Sequence, residues 1–261
     1  MLEKLVTVEE VSREVGSFLK NERESIKETD IEFKGRTNDL VSRADKEAER
    51  IFVEALEQLI PDAGFIAEEG TSTKKGNRFN WIIDPLDGTT NYLYGIPCYC
   101  TSVALIDEDG LVLGVIYDPE RNECFSAAKG HGAALNGEPI RVSRQKDLSK
   151  SLIATGFPYD NRGRQREYLD ILEKVNRNTR GIRRLGSAAL DLAYVACGRF
   201  DAFYEYGLHP WDCAAGALII QEAGGQVTDF KGEGNYLFGK SILASNELIH
   251  SDMLQLTKNW D

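Results

Sequence analysis

Residues 81–91, WIIDPLDGTTN, end a short apolar run with two carboxylates, a glycine and two threonines. The first three residues are typical of the end of a buried strand. Pro85 fixes its own φ and biases Asp84 away from the α region, so the segment is stiff and holds its carboxylates in place. Gly88 permits a positive φ, and the polar residues after it favour a helix start with unpaired N–H groups. The segment suits a hard cation beside a phosphate, with a plain turn as the alternative.

Acidic residues at two further places can join this segment. Glu68 and Glu69 follow a predicted strand over 64–67, and Asp212 lies at the start of a predicted apolar helix, which it would cap. Mg²⁺ prefers oxygen ligands in near-octahedral geometry and keeps several waters, so carboxylates from separate elements meet its needs. The negative charges of such a cluster repel one another, which raises the free energy of the folded chain unless a cation binds between them. Leu86 can add only its backbone carbonyl.

Other enzyme classes lack their signatures in this chain. The three histidines are scattered and form no H-E-x-x-H pattern, which argues against a zinc site. The sequence contains neither a G-x-x-x-x-G-K-[ST] loop nor a G-x-S-x-G elbow, so a P-loop ATPase and an α/β-hydrolase are not indicated.

The net charge of −11 restricts the possible partners. It argues against sequence-independent binding to DNA or RNA, and we expect no direct nucleic-acid contact. Seven arginines nevertheless lie between residues 162 and 184. We interpret them as a solvated surface with ion pairs, and a subunit interface is the sharper alternative.

The five cysteines are odd in number and show no C-x-x-C spacing, which is typical of reduced, buried residues in a cytosolic protein. The chain starts with no signal segment, and no apolar run is long enough to span a bilayer. We therefore expect a cytoplasmic protein that does not bind membranes.

Hydrophobic periodicity predicts helices and strands in alternating blocks. Helices are predicted over 3–20, 45–60, 165–177, 187–197 and 213–223 and at the C-terminus, and strands over 64–67, 99–106, 111–117, 123–128, 200–204, 226–229 and 241–244. A hairpin or loop is predicted around Lys34, and Asp45 is predicted as an N-cap. This order predicts a layered α/β or α+β architecture in a single domain, 1–261, with coupled halves at roughly 1–145 and 146–261.

Five motifs together resemble the inositol monophosphatase family, whose members are lithium-sensitive, Mg²⁺-dependent phosphatases, and the resemblance covers nearly the whole chain. The motifs are DLVSRAD at 39–45, FIAEE at 65–69, WIIDPLDGTTN at 81–91, WDCAAG at 211–216 and EAGG at 222–225. The resemblance implies a layered α-β-α-β-α sandwich of the inositol monophosphatase and fructose-1,6-bisphosphatase type. It also implies a homodimer, with metals and phosphate held by the first half of the chain and the substrate by the second.

The resemblance further implies two to three Mg²⁺ ions per subunit. Glu68, Asp84 and the Leu86 carbonyl would hold the first ion; Asp84, Asp87 and Asp212 the second; and Glu68 with water a weaker third. Thr89, paired with Asp45, would orient and deprotonate the attacking water together with Glu68. The backbone N–H groups of Gly88 and Thr89 would hold the phosphate.

For the substrate side, the resemblance implies that Glu205 accepts hydrogen bonds from substrate hydroxyls and that Lys34 lies on a mobile loop that closes over the metals. A helix start would line the inositol or sugar. The full set of expected substrate contacts is Glu68, Leu86, Asp87, Gly88, Thr89, Arg184, Gly186, Ser187, Ala188, Glu205 and Asp212.

Two positions depart from the family pattern. Ala67 stands where the family usually has Gly, and Gly70 stands where it often has Ser or Thr. Neither position supplies a side-chain ligand, so we expect an active enzyme. The segment 156–159, GFPY, is more similar to bacterial members than to animal ones.

The implied reaction is hydrolysis of inositol 1-phosphate to myo-inositol and phosphate by metal-activated water. Fructose 1,6-bisphosphate is the second substrate candidate, followed by a nucleotide 3′-phosphate. The discriminating contacts are expected near residues 157–166 and 183–205. A hypothesis of another class is a dimeric regulatory protein that acts with the transcription machinery, with the arginine cluster as its contact surface.

Overall fold

The computed structural model describes residues 1–24, 31–33, 40–157 and 164–258. Within these ranges the helices are α1 (Leu2–Arg23), α2 (Arg43–Leu59), α3 (Thr89–Leu93), α4 (Gln165–Asn178), α5 (Ala188–Ala196), α6 (Pro210–Glu222) and α7 (His250–Thr257). The first strands are β1 (Ile31–Phe33), β2 (Leu40–Ser42), β3 (Gly64–Ala67), β4 (Asn80–Asp87), β5 (Cys100–Asp107), β6 (Gly110–Asp118) and β7 (Glu123–Ala128). The remaining strands are β8 (Ala133–Leu135), β9 (Glu138–Ile140), β10 (Leu152–Thr155), β11 (Gly181–Arg183), β12 (Ala202–Tyr206), β13 (Gly225–Thr228) and β14 (Ser241–Asn246).

The larger sheet has seven strands in the order β3-β4-β5-β6-β7-β8-β9. Strands β3 and β4 are parallel, and all other neighbours are antiparallel. Helices α1 and α2 cover one face of this sheet, and α5 and α6 lie on the other. The short apolar run in β4 reflects this double cover. Trp81 and Ile83 enter the core beneath α1 and α2, whereas Ile82 enters the core that contains α5 and α6.

The smaller sheet has five strands in the order β11-β10-β12-β14-β13. Strand β10 is parallel to both of its neighbours, and the other pairs are antiparallel. In β12, Phe203 points into the core shared with α5 and α6, while Tyr204 packs with Tyr168 of α4 and Met253 of α7. The layers are therefore α1/α2, the larger sheet, α5/α6, the smaller sheet and α4/α7. This arrangement confirms the expected α-β-α-β-α sandwich.

The central helices explain why their sequences are apolar on every side. All nine residues of α5 are buried, because the helix lies between two sheets. In α6 the residues from Cys213 to Ile220 are buried as well. A helix with a single buried face, such as α4, keeps a charged outer surface. There Arg166 and Arg177 pair with acidic residues one turn away, as a solvated surface would.

Two predicted helix caps are wrong by a few residues. Helix α2 begins at Arg43, so Asp45 is its third residue and lies 1% exposed in its first turn. Helix α6 is capped by His209, and Asp212 is its third residue. The Asp212 carboxylate accepts a hydrogen bond of 2.6 Å from the His209 backbone N–H, which is one half of a capping box. Both errors arise because acidic residues are favoured throughout the first helical turn.

Four short strands, β8 to β11, lie where no strand was predicted, because three or four residues give too little alternation to recognise. The turn Asn136-Gly137 joins β8 and β9 with φ values of 51° and 83°, as two-residue hairpins require. Strands β1 and β2 pair around the predicted hairpin, but Lys34 itself lies outside the described residues.

All five cysteines are free. No helix in the described part of the chain is long and apolar enough to cross a membrane. The division into two halves stays a prediction.

Candidate active site

The site begins where β4 ends. The register between β4 and β5 shifts between Asp84 and Asp87, at the position that Pro85 occupies. Asp84 is 2% exposed, and its Oδ1 accepts a hydrogen bond of 3.0 Å from the Leu86 N–H. Gly88 follows with φ of 93° and forms the N-cap of α3. The stiff segment therefore presents two carboxylates and a backbone turn at one edge of the larger sheet.

Asp87 connects this edge to the central helix layer. Its Oδ2 accepts hydrogen bonds from the Ser187 hydroxyl at 2.6 Å and from the Ala189 N–H at 2.7 Å. Ser187 is the N-cap of α5, and its hydroxyl also accepts from the Leu190 N–H at 3.3 Å. The predicted substrate-side helix start thus lies directly against the predicted metal ligand.

Glu68 reaches the same place from β3. The Glu68 N–H donates to the Ile83 carbonyl at 3.2 Å, because β3 and β4 run parallel and their pairing ends at Ala67 and Ile83. The carboxyl groups of Glu68 and Asp84 lie close enough for a side-chain hydrogen bond between them. Burial raises the pKa of Asp84 well above its usual range, and the nearby charges of Glu68, Asp87 and Asp212 raise it further. Two carboxyls that share a hydrogen bond need a proton or a cation between them.

Asp212 completes the group from the start of α6. Burial and the Asp212 charge raise the pKa of Asp87 to about 7, although the hydrogen bonds from Ser187 and Ala189 oppose this rise. The acidic cluster, defined as Glu68, Asp84, Asp87 and Asp212, is therefore brought together by three elements: the end of β3, strand β4 and the start of α6.

The donor set of the acidic cluster fits Mg²⁺, since it consists of hard carboxylate oxygens whose mutual repulsion a divalent cation would relieve. As the side chains are placed within the described residues, no group of three or more His, Cys, Asp or Glu could hold a metal ion. The side chains instead use their oxygens on local donors, such as the His209 N–H that Asp212 accepts. The chemistry of the donors fits the ion, and their roles as ligands stay a prediction.

The residues expected around the water and the phosphate lie next to this cluster. The Thr89 hydroxyl donates to the Leu86 carbonyl at 3.0 Å. A side chain at Gly88 would place its Cβ 3.0 Å from the Cys98 carbonyl oxygen and 3.3 Å from that of Gly186, so the turn requires glycine for space as well as for φ. Asp45 is buried in the adjoining α2.

On the substrate side, Glu205 of β12 is buried at 8% exposure. Burial raises its pKa to about 8, and the Asp212 charge adds to this rise while Arg184 opposes it. Gly186 has φ of 93°, and a Cβ there would lie 2.6 Å from an Arg184 guanidinium nitrogen. Helix α5 then starts at Ala188. The structure therefore places the predicted hydroxyl acceptor beside the predicted helix start.

Three residues that the sequence did not single out belong to this neighbourhood. Glu49 of α2 is fully buried and accepts hydrogen bonds from the loop after Glu68. Asp191 of α5 is 1% exposed, and burial, with the charge of Glu205, raises its pKa well above the usual range. A Cβ at Gly156 would lie 2.1–2.3 Å from the Glu205 carboxylate atoms. Charged residues inside apolar periodic stripes were the available signal for the two acids.

Comparisons with known proteins bear on the family and the fold. The model of the inositol monophosphatase family matches residues 1–259. A protein of Neisseria meningitidis named putative Nus factor SuhB is 47% identical over 220 residues, which is 84% of either chain. An inositol-1-monophosphatase of Rhizobium meliloti is 46% identical over 235 residues, covering 90% of this chain and 88% of the relative. The crystal structure of the extragenic suppressor protein suhB of Bartonella henselae superposes with a TM-score of 0.94 at 39% identity and covers 99% of this chain and 100% of that one.

Proposed function

The chain belongs to the inositol monophosphatase family, and on that premise we propose that it is a Mg²⁺-dependent phosphate monoester hydrolase. The observation that carries this proposal is the acidic cluster beside the Gly88 turn. Four buried or half-buried carboxyl groups lie together there, and burial with the neighbouring charges raises the pKa values of Asp84 and Asp87, so this arrangement would be costly in a protein that bound no cation. A phosphate ester would supply the remaining oxygen ligands for the cations.

We assign the metal ligands as the sequence predicts. Glu68, Asp84 and the Leu86 carbonyl would hold one ion, and Asp84, Asp87 and Asp212 a second. When bound, Mg²⁺ supplies Lewis-acid chemistry that lowers the pKa of water and neutralises charge on the phosphate and the leaving oxygen. This proposal is supported by the convergence of β3, β4 and α6 on one point.

The chain's own residues then position the reactants. Glu68, together with Thr89, orients the attacking water and accepts its proton, while the N–H groups of Gly88 and Thr89 hold the phosphate. A bond forms between the water oxygen and phosphorus, and the bond from phosphorus to the alcohol oxygen breaks. The alcohol leaves after it takes a proton from water, so no covalent enzyme intermediate is needed.

Inositol 1-phosphate is the proposed substrate, and fructose 1,6-bisphosphate is the alternative. Glu205 and Arg184 would bind the hydroxyl groups of the ring. A buried carboxyl beside the site can accept hydrogen bonds from two neighbouring hydroxyls. The relative from Rhizobium meliloti is named inositol-1-monophosphatase, which supports this order of preference. We further propose that the protein is a cytoplasmic homodimer.

Phosphate release tests the proposal. Inositol 1-phosphate and fructose 1,6-bisphosphate are incubated side by side with purified protein, in Mg²⁺ and in EDTA. We expect release from inositol 1-phosphate that requires Mg²⁺ and exceeds release from the bisphosphate. Release that continues in EDTA would contradict the role of the metal, and the reverse order of rates would reassign the substrate.

A second candidate function is a regulatory role with the transcription machinery, because the relative from Neisseria meningitidis is named a putative Nus factor. The two functions can be separated by Asp87→Asn, which disables the proposed chemistry, and by Arg183→Glu, which reverses an exposed charge outside the acidic cluster. Binding to purified transcription complexes that survives the first change and is lost with the second would support this role. Equal absence of binding in all forms, including wild type, would contradict it.

A further inference from the structure

Glu49 is a carboxylate without solvent contact that faces the loop leading away from β3. It lies on α2, where it is 0% exposed within a stripe that also contains Ala48, Phe52 and Leu56. Such a position normally carries an apolar side chain, because burial of an ionised carboxylate is costly unless hydrogen bonds replace its water. The helix has therefore placed an acid where packing alone would favour a leucine.

The hydrogen bonds that satisfy Glu49 all come from one short loop. Its Oε2 accepts from the Glu69 N–H at 2.6 Å. Its Oε1 accepts from both the N–H and the hydroxyl of Thr71, each at 2.7 Å. Gly70 lies between these two residues and has φ of 69°. This conformation lets the N–H groups of Glu69 and Thr71, on either side of it, point toward the same carboxylate. Glu49 therefore fixes the path of the chain over residues 69–71.

The loop that Glu49 fixes carries Glu68, whose own N–H donates to the Ile83 carbonyl at 3.2 Å. Glu68 is thus held on one side by β4 and on the other by the Glu49 clamp, which we define as Glu49 with the Glu69 and Thr71 groups that donate to it. Strand pairing between β3 and β4 ends at Ala67, and the loop is tied to β3 again where the Phe65 N–H donates to the Lys74 carbonyl at 2.8 Å. The clamp holds the chain between these two points.

We propose that Glu49 is a positioning residue for metal binding, which acts by holding the backbone on which Glu68 is carried. This inference rests on the proposed function, because it takes Glu68 to be a ligand. Ligand positions must be held within about half an ångström of productive geometry, and partners that orient a ligand influence affinity by about 10- to 100-fold. The clamp supplies such an orienting contact through the backbone.

The test compares three variants in a titration of metal-free protein with Mg²⁺, followed by calorimetry. Glu49→Gln keeps the shape but turns an amide toward one of the clamped N–H groups, so we expect Mg²⁺ binding to weaken by about tenfold or more. Thr71→Val removes only the hydroxyl donor at an exposed residue, and we expect a loss of about threefold. Glu49→Asp shortens the side chain and should not restore wild-type affinity.

Asp229→Asn is the matched control. Asp229 is also a buried carboxylate, 7% exposed, that accepts two backbone N–H bonds in a turn, from Lys231 at 2.9 Å and from Glu233 at 2.8 Å. It lies in the turn after β13, outside the acidic cluster. We expect this variant to lose thermal stability but to bind Mg²⁺ with wild-type affinity, so a general effect of buried carboxylates is separated from a specific one.

The outcomes divide cleanly. Wild-type Mg²⁺ affinity in a folded Glu49→Gln protein would overturn the proposal, and if that variant does not fold, wild-type affinity in Thr71→Val would overturn it. Equal losses in Asp229→Asn and Glu49→Gln would also overturn it. Wild-type protein that binds Mg²⁺ without releasing phosphate would contradict the proposed function while leaving the role of Glu49 measurable. Wild-type protein that binds no Mg²⁺ would overturn both.

Discussion

Buried carboxylates occur in two kinds of surroundings in this molecule. In the acidic cluster, Asp84 is surrounded by the carboxyl groups of Glu68, Asp87 and Asp212. At the end of β6, Asp118 is fully buried but accepts from the Glu120 N–H at 2.9 Å, the Arg121 N–H at 3.0 Å and the Arg121 guanidinium at 3.0 Å. One acid faces more acids, and the other faces only donors.

This difference separates what the fold needs from what the proposed chemistry needs. A buried carboxylate with three donors stabilises its turn, because it replaces lost hydration with hydrogen bonds. Carboxylates that face one another destabilise the folded chain at neutral pH until a cation or protons are added. Removing an acid should therefore have opposite effects in the two places, and each prediction below is a way to test that contrast.

The largest effect is expected from Asp87→Asn. The amide oxygen can still accept from Ser187 and Ala189, so the fold around α5 should persist. Loss of a negative ligand should lower turnover by about a thousandfold, which is the scale of losing a group that stabilises charge in the transition state. In EDTA the thermal midpoint should equal or exceed that of wild type, because repulsion within the acidic cluster falls. Near-normal turnover, or a clearly lower midpoint, would contradict this interpretation.

Asp118→Ala is the opposite case. Removing this carboxylate leaves buried N–H donors and a guanidinium without their acceptor, so the free energy of unfolding should fall by about 3 kcal/mol. For a chain of this length, that loss lowers the thermal midpoint by roughly 6–12 °C. Turnover measured at a temperature where the variant is folded should match wild type. A large loss of turnover in folded protein would show that the two surroundings are not independent.

The sequence patterns predicted a layered α/β or α+β architecture, and the family resemblance supplied the order of the layers. Helices α2 and α6 have long, clear patterns, so only their ends were placed incorrectly, whereas only the short apolar run 81–83 indicated strand β4 (Asn80–Asp87). The family resemblance then placed Glu68 and Asp212 in one site, which spacing alone cannot do, since more than a hundred residues separate them. Short strands such as β11 gave no pattern because tertiary pairing, and not local periodicity, decides them.

The neighbours that hold the site in place could not be predicted from the sequence. Glu49 and Gly156 act through contacts between distant elements, namely α2 with the loop after β3 and β10 with β12. No local signal distinguishes a glycine that gives space to a carboxylate from one in an ordinary turn. An acid inside an apolar helical stripe is a usable signal, and it marks both Glu49 and Asp191 in this chain.

Gly156→Ala tests the substrate side, where Glu205 faces Arg184 as well as acids. The added Cβ would lie 2.1–2.3 Å from the Glu205 carboxylate atoms, so that carboxyl must move. We expect kcat/KM for inositol 1-phosphate to fall by about 10- to 100-fold, mainly through KM, since a hydrogen bond to a buried charged group is lost. p-Nitrophenyl phosphate has no ring hydroxyls, so its hydrolysis does not depend on hydrogen bonds to Glu205. We expect its kcat/KM to change less than about threefold, which is less than the effect of losing one hydrogen bond. Equal losses on both substrates would place the effect on the metals instead.

The smallest effect concerns a buried base at the far side of the smaller sheet. His250 is 1% exposed, with Nδ1 2.8 Å from the Ser245 hydroxyl and Nε2 3.0 Å from the Thr228 hydroxyl. Burial lowers its pKa from 6.5 to about 4, so the unfolded chain binds more protons between these values. This contribution to stability is full above pH 6.5 and is lost as the pH falls toward 4. The acidic cluster changes stability with pH in the opposite direction, because carboxyl groups with raised pKa values stabilise the folded chain when they become protonated.

The free energy of unfolding in urea, measured between pH 7 and 4.5, tests this difference. His250→Gln should make it depend less on pH, while Asp87→Asn should make its fall toward acid pH steeper. An unchanged profile in His250→Gln would mean that the imidazole titrates normally in the folded protein.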